Sequence, residues 1–276
     1  MEKYFNPLES TRSFLLSWTK TILRKHGVKP RRRFSQNFVV DPLLLREVTG
    51  YLESEDYVLE VGCGLGTLSM ALLSKTRRLL CIELDPRLCS IARDVVGKSE
   101  FIVVNGDALK TPFTSRTLVS NLPYHITSEL LVKTARENTV EKVVLTIQRE
   151  VAERLTAPPG SKQYGRITIL VSLLFNVKLG GVYPPSSFYP KPEVSHQVIV
   201  LTRKRRYTDE VRVVEDVTRV FFTQRKRFFE KVLREKFGVE TRDLGVLSEF
   251  AGRRVYTIDP ESWLAISREL HSRGLV

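Results

Sequence analysis

Residues 57–67 read Tyr-Val-Leu-Glu-Val-Gly-Cys-Gly-Leu-Gly-Thr, an apolar run that passes directly into a glycine-rich turn. The run up to Val61 predicts a buried strand, and the residues after Gly66 have the periodicity of a helix. Glycines between a strand and a helix let a ligand lie against bare backbone. A dinucleotide-binding fingerprint would require glycine where this chain has Thr67, so the turn suits a nucleoside better than a pyrophosphate.

The alternation of strands and helices continues beyond this turn. Helices between successive strands make right-handed crossovers, so the strands are predicted to be parallel, with ligands bound at their carboxyl ends. The chain therefore belongs to the α/β class, and we expect a doubly wound, Rossmann-like sheet. The predicted strands lie near 57–61, 79–83, 100–104, 117–121 and 142–147, and the predicted helices near 67–74, 87–96 and 127–136.

The pattern changes after the fifth strand. A helix near 149–156 leads into a Pro-rich loop, and runs near 173–182 and 194–202 are typical of strands that complete the sheet. Beyond Lys204 the apolar residues recur at helical spacing. We therefore expect a small helical domain at the C-terminal end.

Basic residues are concentrated at the two ends of the chain, which has a net charge of +13. Residues 1–33 carry 9 basic and 2 acidic side chains, residues 203–276 carry 17 and 12, and the middle is close to neutral. This distribution favours a polyanionic partner whose phosphates contact both flanks. For any single basic run, the alternative is an ordinary solvated surface.

Acidic residues close the two strands that follow the glycine turn. Glu83 can accept hydrogen bonds from both hydroxyls of a ribose, and Asp107 can accept one from an adenine amine. Each could instead be a helix cap or a turn former. Taken with the glycines, this succession of strand ends resembles the S-adenosylmethionine site of doubly wound methyltransferases.

The fourth strand ends in Asn121-Leu122-Pro123-Tyr124, which resembles the signature of enzymes that methylate amines of nucleobases. The side-chain carbonyl of Asn121 and the backbone carbonyl of Leu122 can accept both amine hydrogens, and Pro123 fixes the turn. The target base must leave its stack in the nucleic acid, so aromatic side chains are needed to replace the lost stacking contacts. Tyr124 offers one face. Phe188 offers a second face, or serves instead as a buried loop anchor.

Together with these residues, the motifs at 34–38, 148–155 and 164–166 are similar to those of the ribosomal RNA adenine dimethyltransferase family, in an archaeal-type member. The resemblance implies S-adenosylmethionine as cofactor and dimethylation of two adjacent adenines near the 3′ end of small-subunit ribosomal RNA. The partner would be that RNA or the pre-ribosomal small subunit. By motif position the cofactor would contact Gln36, Asn37, Val39, Gly62, Gly64, Glu83, Asp107 and Asn121. The substrate amine would be held by Asn121, Leu122 and Tyr124, with Phe188 stacking on the adenine.

The resemblance also assigns the domains. Residues 1–33 form a basic N-terminal extension, 34–206 the methyltransferase domain, and 207–276 a helical RNA-binding domain. The chain departs from the family at Val39, where leucine is usual, and at Cys63, where bacterial members usually have proline. In the helical region, residues 222–227 match only part of the basic helix that is usual in the family. The sequence therefore supports the methylation chemistry more strongly than it supports a particular RNA target.

Three further expectations come from composition. No apolar run reaches the roughly 18 to 20 residues that span a bilayer, so no membrane association is predicted. The three cysteines, Cys63, Cys81 and Cys89, lack the paired spacing of a zinc site, which predicts no metal and a reducing, cytoplasmic compartment. We expect a monomer.

Three alternative functions compete with this interpretation. A DNA adenine methyltransferase could carry the same four-residue signature, although the flanking motifs favour RNA. A non-catalytic ribosome-assembly or RNA-binding factor could keep the fold and the basic flanks. Intact Glu83 and Asn121 argue against that alternative. A small-molecule methyltransferase would leave the basic flanks unexplained.

Overall fold

A computed structural model describes residues 5–31, 36–243 and 245–276 of the chain. The chain folds into two compact units, one from Met1–Ala152 and Lys178–Thr202, the other from Glu153–Val177 and Arg203–Val276. The helices are α1 (Arg12–Lys25), α2 (Pro42–Gly50), α3 (Thr67–Leu72), α4 (Pro86–Val96), α5 (Thr127–Arg136), α6 (Arg149–Leu155), α7 (Arg166–Leu174), α8 (Asp209–Phe221), α9 (Phe229–Phe237) and α10 (Pro260–Ser272). The strands are β1 (Phe38–Val39), β2 (Glu55–Val61), β3 (Thr76–Glu83), β4 (Phe101–Asn105), β5 (Thr117–Asn121), β6 (Lys142–Gln148), β7 (Phe175–Tyr183), β8 (Phe188–Tyr189) and β9 (His196–Arg203).

Seven of these strands form one sheet in the order β4-β3-β2-β5-β6-β9-β7. The pairs from β4 to β6 are parallel, and β9 is antiparallel to β6. The predicted α/β class is confirmed, and the five predicted parallel strands are present with their bounds shifted by three residues or fewer. The strand order reverses between β2 and β5, and ligands of doubly wound sheets bind beside such a switch point.

The N-terminal segment, expected as an extension, contains α1, which packs into the core of the first unit. Thr11 caps the helix by accepting a hydrogen bond from the backbone N–H of Phe14. Leu15 and Trp18 are buried, and the Trp18 ring meets Phe5 edge to face at 5.2 Å. Burial of these apolar side chains stabilises the segment against the core of the first unit.

The largest difference from the predicted elements is at helix α7 (Arg166–Leu174). The sequence predicted no helix there and placed the start of a strand at residue 173. The sequence of α7, Arg-Ile-Thr-Ile-Leu-Val-Ser-Leu-Leu, is rich in β-branched residues and is buried on most sides. A helix buried all round has no amphipathic period, so its apolar run cannot be told from a buried strand by pattern alone. The strand β7 begins only at Phe175.

The second unit contains the predicted C-terminal helices and also takes in residues 153–177. Helix α7 packs against α8 and α10 in this unit. The chain therefore divides near residues 152, 177 and 202, whereas the sequence predicted boundaries at 33 and 206. The core of the unit is aromatic, since Trp263 is fully buried and its ring centroid lies 5.3 Å from that of Phe221.

The three cysteines, Cys63, Cys81 and Cys89, are free and buried. Burial raises the pKa of the Cys89 thiol to about 11, so it stays protonated near neutral pH. A buried thiol of this kind packs as a small apolar group. Across the described ranges, no helix combines the length and the apolarity needed to cross a membrane.

Candidate active site

A cleft that opens to solvent lies in the first unit, at the carboxyl ends of the strands around the switch point. Doubly wound sheets bind small molecules and cofactors at this position. Every residue predicted to contact the cofactor lines this cleft. They are Gln36, Asn37, Val39, Gly62, Gly64, Glu83, Asp107 and Asn121.

The floor of the cleft is the glycine turn after β2. Gly64 has φ +57°, in the left-handed region, and a Cβ there would meet the ring of Phe38 at 3.0 Å. Gly66 has φ +85°, and its Cβ would lie 2.8 Å from a methyl group of Val96. Both conformation and space therefore require glycine, and the bare backbone of the turn faces the cleft.

Glu83 ends β3 beside this turn and is held by two backbone donors. The N–H of Gly64 donates to Oε2 at 3.0 Å, and the N–H of Asp85 donates to Oε1 at 2.9 Å. Burial raises the pKa of the carboxyl above its ordinary value, while the two N–H donors lower it. Each carboxylate oxygen can accept a further hydrogen bond, which is what a ribose with two hydroxyls requires.

Glu83 is not a helix cap, because that role belongs to its neighbour Asp85. The Oδ1 atom of Asp85 accepts from the N–H of Arg87 at the start of α4, and the Arg87 guanidinium reaches Oδ2 at 2.6 Å. These bonds to Arg87 lower the pKa of Asp85 to about 2. Sequence analysis did not identify Asp85, although an Asp-Pro pair that opens a helix is a recognisable cap.

Gln36 joins the same network. Its Nε2 donates to Oδ2 of Asp85 at 3.1 Å, and its Oε1 accepts from the N–H of Arg31 at 2.7 Å. Both ends of the amide are thus engaged within the protein. Gln36 lines the cleft and fixes the chain segment that forms its wall.

Asp107 is a turn former that also borders the cleft. Its Oδ1 accepts from the N–H of Leu109 at 2.9 Å, which is the bond of a turn former. Its Oδ2 lies 3.9 Å from the ammonium of Lys110, and the residue borders the cleft. The carboxylate therefore shapes the turn and still has acceptor capacity for a ligand.

Asn121 ends β5, and its amide orientation is fixed by one contact. Nδ2 donates to the backbone carbonyl of Asn37 at 2.8 Å. A carbonyl oxygen can only accept, so the amide group must face it with nitrogen, and Oδ1 is the atom left to accept from a ligand. Asn37 in turn donates from its own Nδ2 to the hydroxyl of Tyr124 at 3.2 Å. Asn37 thereby couples Asn121 to Tyr124.

Three of the predicted substrate residues do not line the cleft. Leu122 is buried, and its N–H donates to the carbonyl of Thr146 on β6 at 3.0 Å. Tyr124 is half-buried, and burial together with the negative charge of Glu193 raises the pKa of its hydroxyl. Phe188 is only 1% exposed, so its ring is covered.

A two-residue ladder brings distant motifs together. Strand β1 pairs with β8 antiparallel, with Val39 opposite Phe188 and Phe38 opposite Tyr189. These residues are about 150 positions apart in the chain. The pairing places the segment that holds Asn121 beside the loop that carries Phe188.

Sequence analysis did not identify the apolar lining of the cleft. These side chains are suited to the flat face of a purine, whose contact with apolar groups is favourable. They are ordinary core-type residues, so only their position at the strand ends distinguishes them. They are Ile82, Leu84, Leu88, Ala108 and Ile126.

Behind the glycine turn lies a second buried acid, Glu60. Oε2 accepts from the hydroxyl of Ser69 at 2.6 Å, and Oε1 has no hydrogen-bond partner among the described residues. Complete burial raises the pKa of Glu60 to about 8. The side chain is therefore protonated near neutral pH, and it accepts a hydrogen bond from the hydroxyl of Ser69 on α3, the helix that follows the turn.

Comparison with known proteins gives a consistent result. The family model described as ribosomal RNA adenine dimethylase matches residues 27–271. A protein of Methanothermobacter thermautotrophicus named "Probable ribosomal RNA small subunit methyltransferase A" is 34% identical, with 94% of this chain and 97% of that protein covered.

Two solved structures resemble the chain. A dimethyladenosine transferase from Plasmodium falciparum is similar with a TM-score of 0.75 and 24% identity, covering 86% of this chain and 98% of that one. The 23S rRNA methyltransferase ErmE is similar with a TM-score of 0.63 and 25% identity, covering 85% of this chain and 100% of that one. Both likenesses agree with the doubly wound fold.

The substitution Glu83→Gln tests the ribose site. Glutamine would put an NH₂ group against one of the two N–H donors that now face the carboxylate, and it would lose the charge that strengthens hydrogen bonds from hydroxyls. Affinity for S-adenosylmethionine, measured by calorimetry, should fall roughly tenfold to a hundredfold. The exposed Glu53→Gln variant serves as control and should bind normally. Equal affinity of the two variants would remove Glu83 from the cofactor site.

The raised pKa of Glu60 predicts how stability depends on pH. Unfolded Glu60 loses its proton near pH 4.5, whereas the folded protein keeps it up to about pH 8. The Glu60 contribution to the free energy of unfolding therefore falls as pH rises through this window. The Glu60→Gln variant has no titratable group at this position, so its own free energy of unfolding lacks this pH dependence. The difference in free energy of unfolding, variant minus wild type, should therefore increase from about pH 4.5 to about pH 8 and level off above that pH. Urea unfolding measures this difference, and a difference that does not change with pH would contradict the assignment.

Proposed function

Because this chain belongs to the ribosomal RNA adenine dimethylase family, we propose that it dimethylates two adjacent adenines near the 3′ end of small-subunit ribosomal RNA. The methyl donor is S-adenosylmethionine. The observation that carries the proposal is the contact of Asn121 with the Asn37 carbonyl, which leaves an amide oxygen as acceptor beside the cofactor cleft. We place this activity in ribosome maturation and in the cytoplasm, and the chain acts as a monomer.

The residues of the cleft fit the cofactor that the family implies. The glycine turn and the apolar lining accommodate a nucleoside, and Glu83 and Asp107 supply acceptors at the ends of β3 and β4. When bound, S-adenosylmethionine supplies a methyl group on a sulfonium, which is already a strong electrophile. The protein needs no metal or dedicated base to activate it.

Asn121 and Leu122 act on the nucleophile. An exocyclic amine is a poor nucleophile because its lone pair is delocalised into the purine ring. Oδ1 of Asn121 and the backbone carbonyl of Leu122 accept the two amine hydrogens, which orients the lone pair away from the ring plane. Positioning of this kind can lower the barrier by up to roughly 7 to 11 kcal/mol. In each round the carbon–sulfur bond of the sulfonium would break as the nitrogen–carbon bond forms, the thioether product would leave, and one amine proton would pass to solvent. The same acceptors would then hold the remaining hydrogen for a second round.

The target adenine must be outside its helical stack. Tyr124, half-buried next to Asn121, offers a ring against which the base can stack, a contact worth roughly 1 to 3 kcal/mol. Phe188 can stack on the base only after its covered ring becomes accessible. The two rings therefore differ in role: Tyr124 receives the base, and Phe188 supports it from a buried position.

RNA binding rests on the basic flanks. On α1, Lys20, Arg24 and Lys25 are exposed. In the second unit part of the charge is used internally, since Arg225 donates to the backbone carbonyls of Ser161, Lys162 and Tyr164. The exposed cations of α1 are therefore more available to RNA phosphates than Arg225, whose guanidinium is engaged within the second unit.

Transfer of labelled methyl groups tests the function. Small ribosomal subunits lacking the modification should accept label from S-adenosylmethionine, and mass spectrometry should find dimethyladenine in two adjacent positions near the 3′ end. Large-subunit ribosomal RNA and adenine-containing duplex DNA provide the comparison substrates. Label in DNA but not in small subunits would replace the proposal with a DNA methyltransferase, and label in large-subunit RNA alone would change the target.

Replacing Asn121 with alanine tests the mechanism. The variant loses the acceptor for the amine, so we expect kcat to fall roughly a hundredfold or more while RNA affinity stays within about twofold. Filter binding measures affinity, and label transfer measures kcat. Asn176→Ala, an exposed position on β7, is the control and should match wild type. An unchanged rate for Asn121→Ala would exclude Asn121 from the reaction.

A further inference from the structure

A third aromatic ring lies behind the two proposed base-stacking rings. His196, the first residue of β9, is 1% exposed. Its ring centroid is 4.4 Å from that of Phe188 and 5.2 Å from that of Tyr124. His196 therefore contacts both residues, which come from segments more than 60 positions apart in the chain.

The imidazole is neutral in this setting. Burial lowers its pKa to about 4, against a smaller opposing effect of the Val194 backbone. Its Nδ1 atom is buried without a hydrogen-bond partner among the described residues. A carbon ring of similar shape would therefore lose no hydrogen bond through Nδ1 at this position.

The contacts of His196 continue to the reacting atoms. Tyr124 accepts a hydrogen bond from Nδ2 of Asn37, and the carbonyl of Asn37 accepts from Asn121. A displacement of the Tyr124 ring would therefore move the group that fixes the Asn121 amide. The backbone of His196 is itself fixed, because it pairs opposite Gln148, the last residue of β6.

We propose that His196 is a positioning residue for methyl transfer, whose flat ring fixes the distance and tilt of Tyr124 and Phe188. This inference rests on the proposed function of the same site. It adds a residue that touches neither the cofactor cleft nor, in this structure, any exposed surface. Its effect passes through Tyr124 to Asn37 and Asn121.

Kinetics of His196→Ala test the proposal. Loss of the ring lets Tyr124 and Phe188 collapse toward the space it occupied, so kcat should fall roughly tenfold to a hundredfold. The affinity for S-adenosylmethionine should stay within about twofold, because His196 does not line the cleft. His196→Phe keeps a flat ring and should restore kcat to within a few-fold of wild type.

A matched control separates positioning from stability. Val198 is fully buried and lies on the same face of β9 as His196, two residues further along. Val198→Ala should lower the melting temperature and leave kcat near the wild-type value below that temperature. Equal losses of kcat in Val198→Ala and His196→Ala would overturn the proposal and leave a purely structural role.

The remaining outcomes are also decisive. Unchanged kcat in His196→Ala would overturn the proposal, and so would failure of His196→Phe to restore activity, since the ring would then not be the active feature. The measurements use whichever RNA the wild-type protein methylates. A wild type inactive on small subunits refutes the proposed substrate, whereas an active wild type with an equally active His196→Ala refutes this inference alone.

Discussion

The hydrogen bond from Asn121 to the backbone carbonyl of Asn37 is the contact on which the site depends. It joins the end of β5 to the segment before β1, and it decides which end of the Asn121 amide faces the ligand, because a carbonyl cannot donate. The short pairing of β1 with β8 holds that segment in place and brings Phe188 alongside it. The wall of the cleft, the Asn121 amide and the loop that carries Phe188 are therefore parts of one connected arrangement.

Two buried carboxyl groups support the glycine turn in different ways. Glu83 is held by N–H donors on both oxygens, so its position is set before any ligand arrives, which lowers the entropy cost of binding. Glu60 lies deeper and carries a proton, because burial without a cation disfavours its charge. One acid thus presents acceptors to the cleft, while the other packs as a neutral group beneath it.

The second unit and α1 make different uses of positive charge. Several arginines of the second unit bind carboxylates or backbone carbonyls of the same unit, as Arg205 does with Glu261 and Arg225 with Tyr164. On α1, Arg12 also donates to a backbone carbonyl, that of Ser186, whereas the side chains of Arg24 and Lys25 are exposed with no hydrogen bond or ion pair to the described residues. A count of charge along the sequence treats both groups alike, although only cations that are not engaged internally are fully available to phosphates.

The sequence by itself determined the α/β class, the parallel strands and the strand-end residues, because these depend on local periodicity and on glycines at a single turn. The residues that it predicted to contact the cofactor all line one cleft. Only the tertiary structure decided that α7 is a helix, that Asn37 fixes the Asn121 amide, and that Phe188 is covered next to His196. These facts depend on contacts between segments up to about 150 residues apart, and no local pattern records which distant side chain will fill a given space.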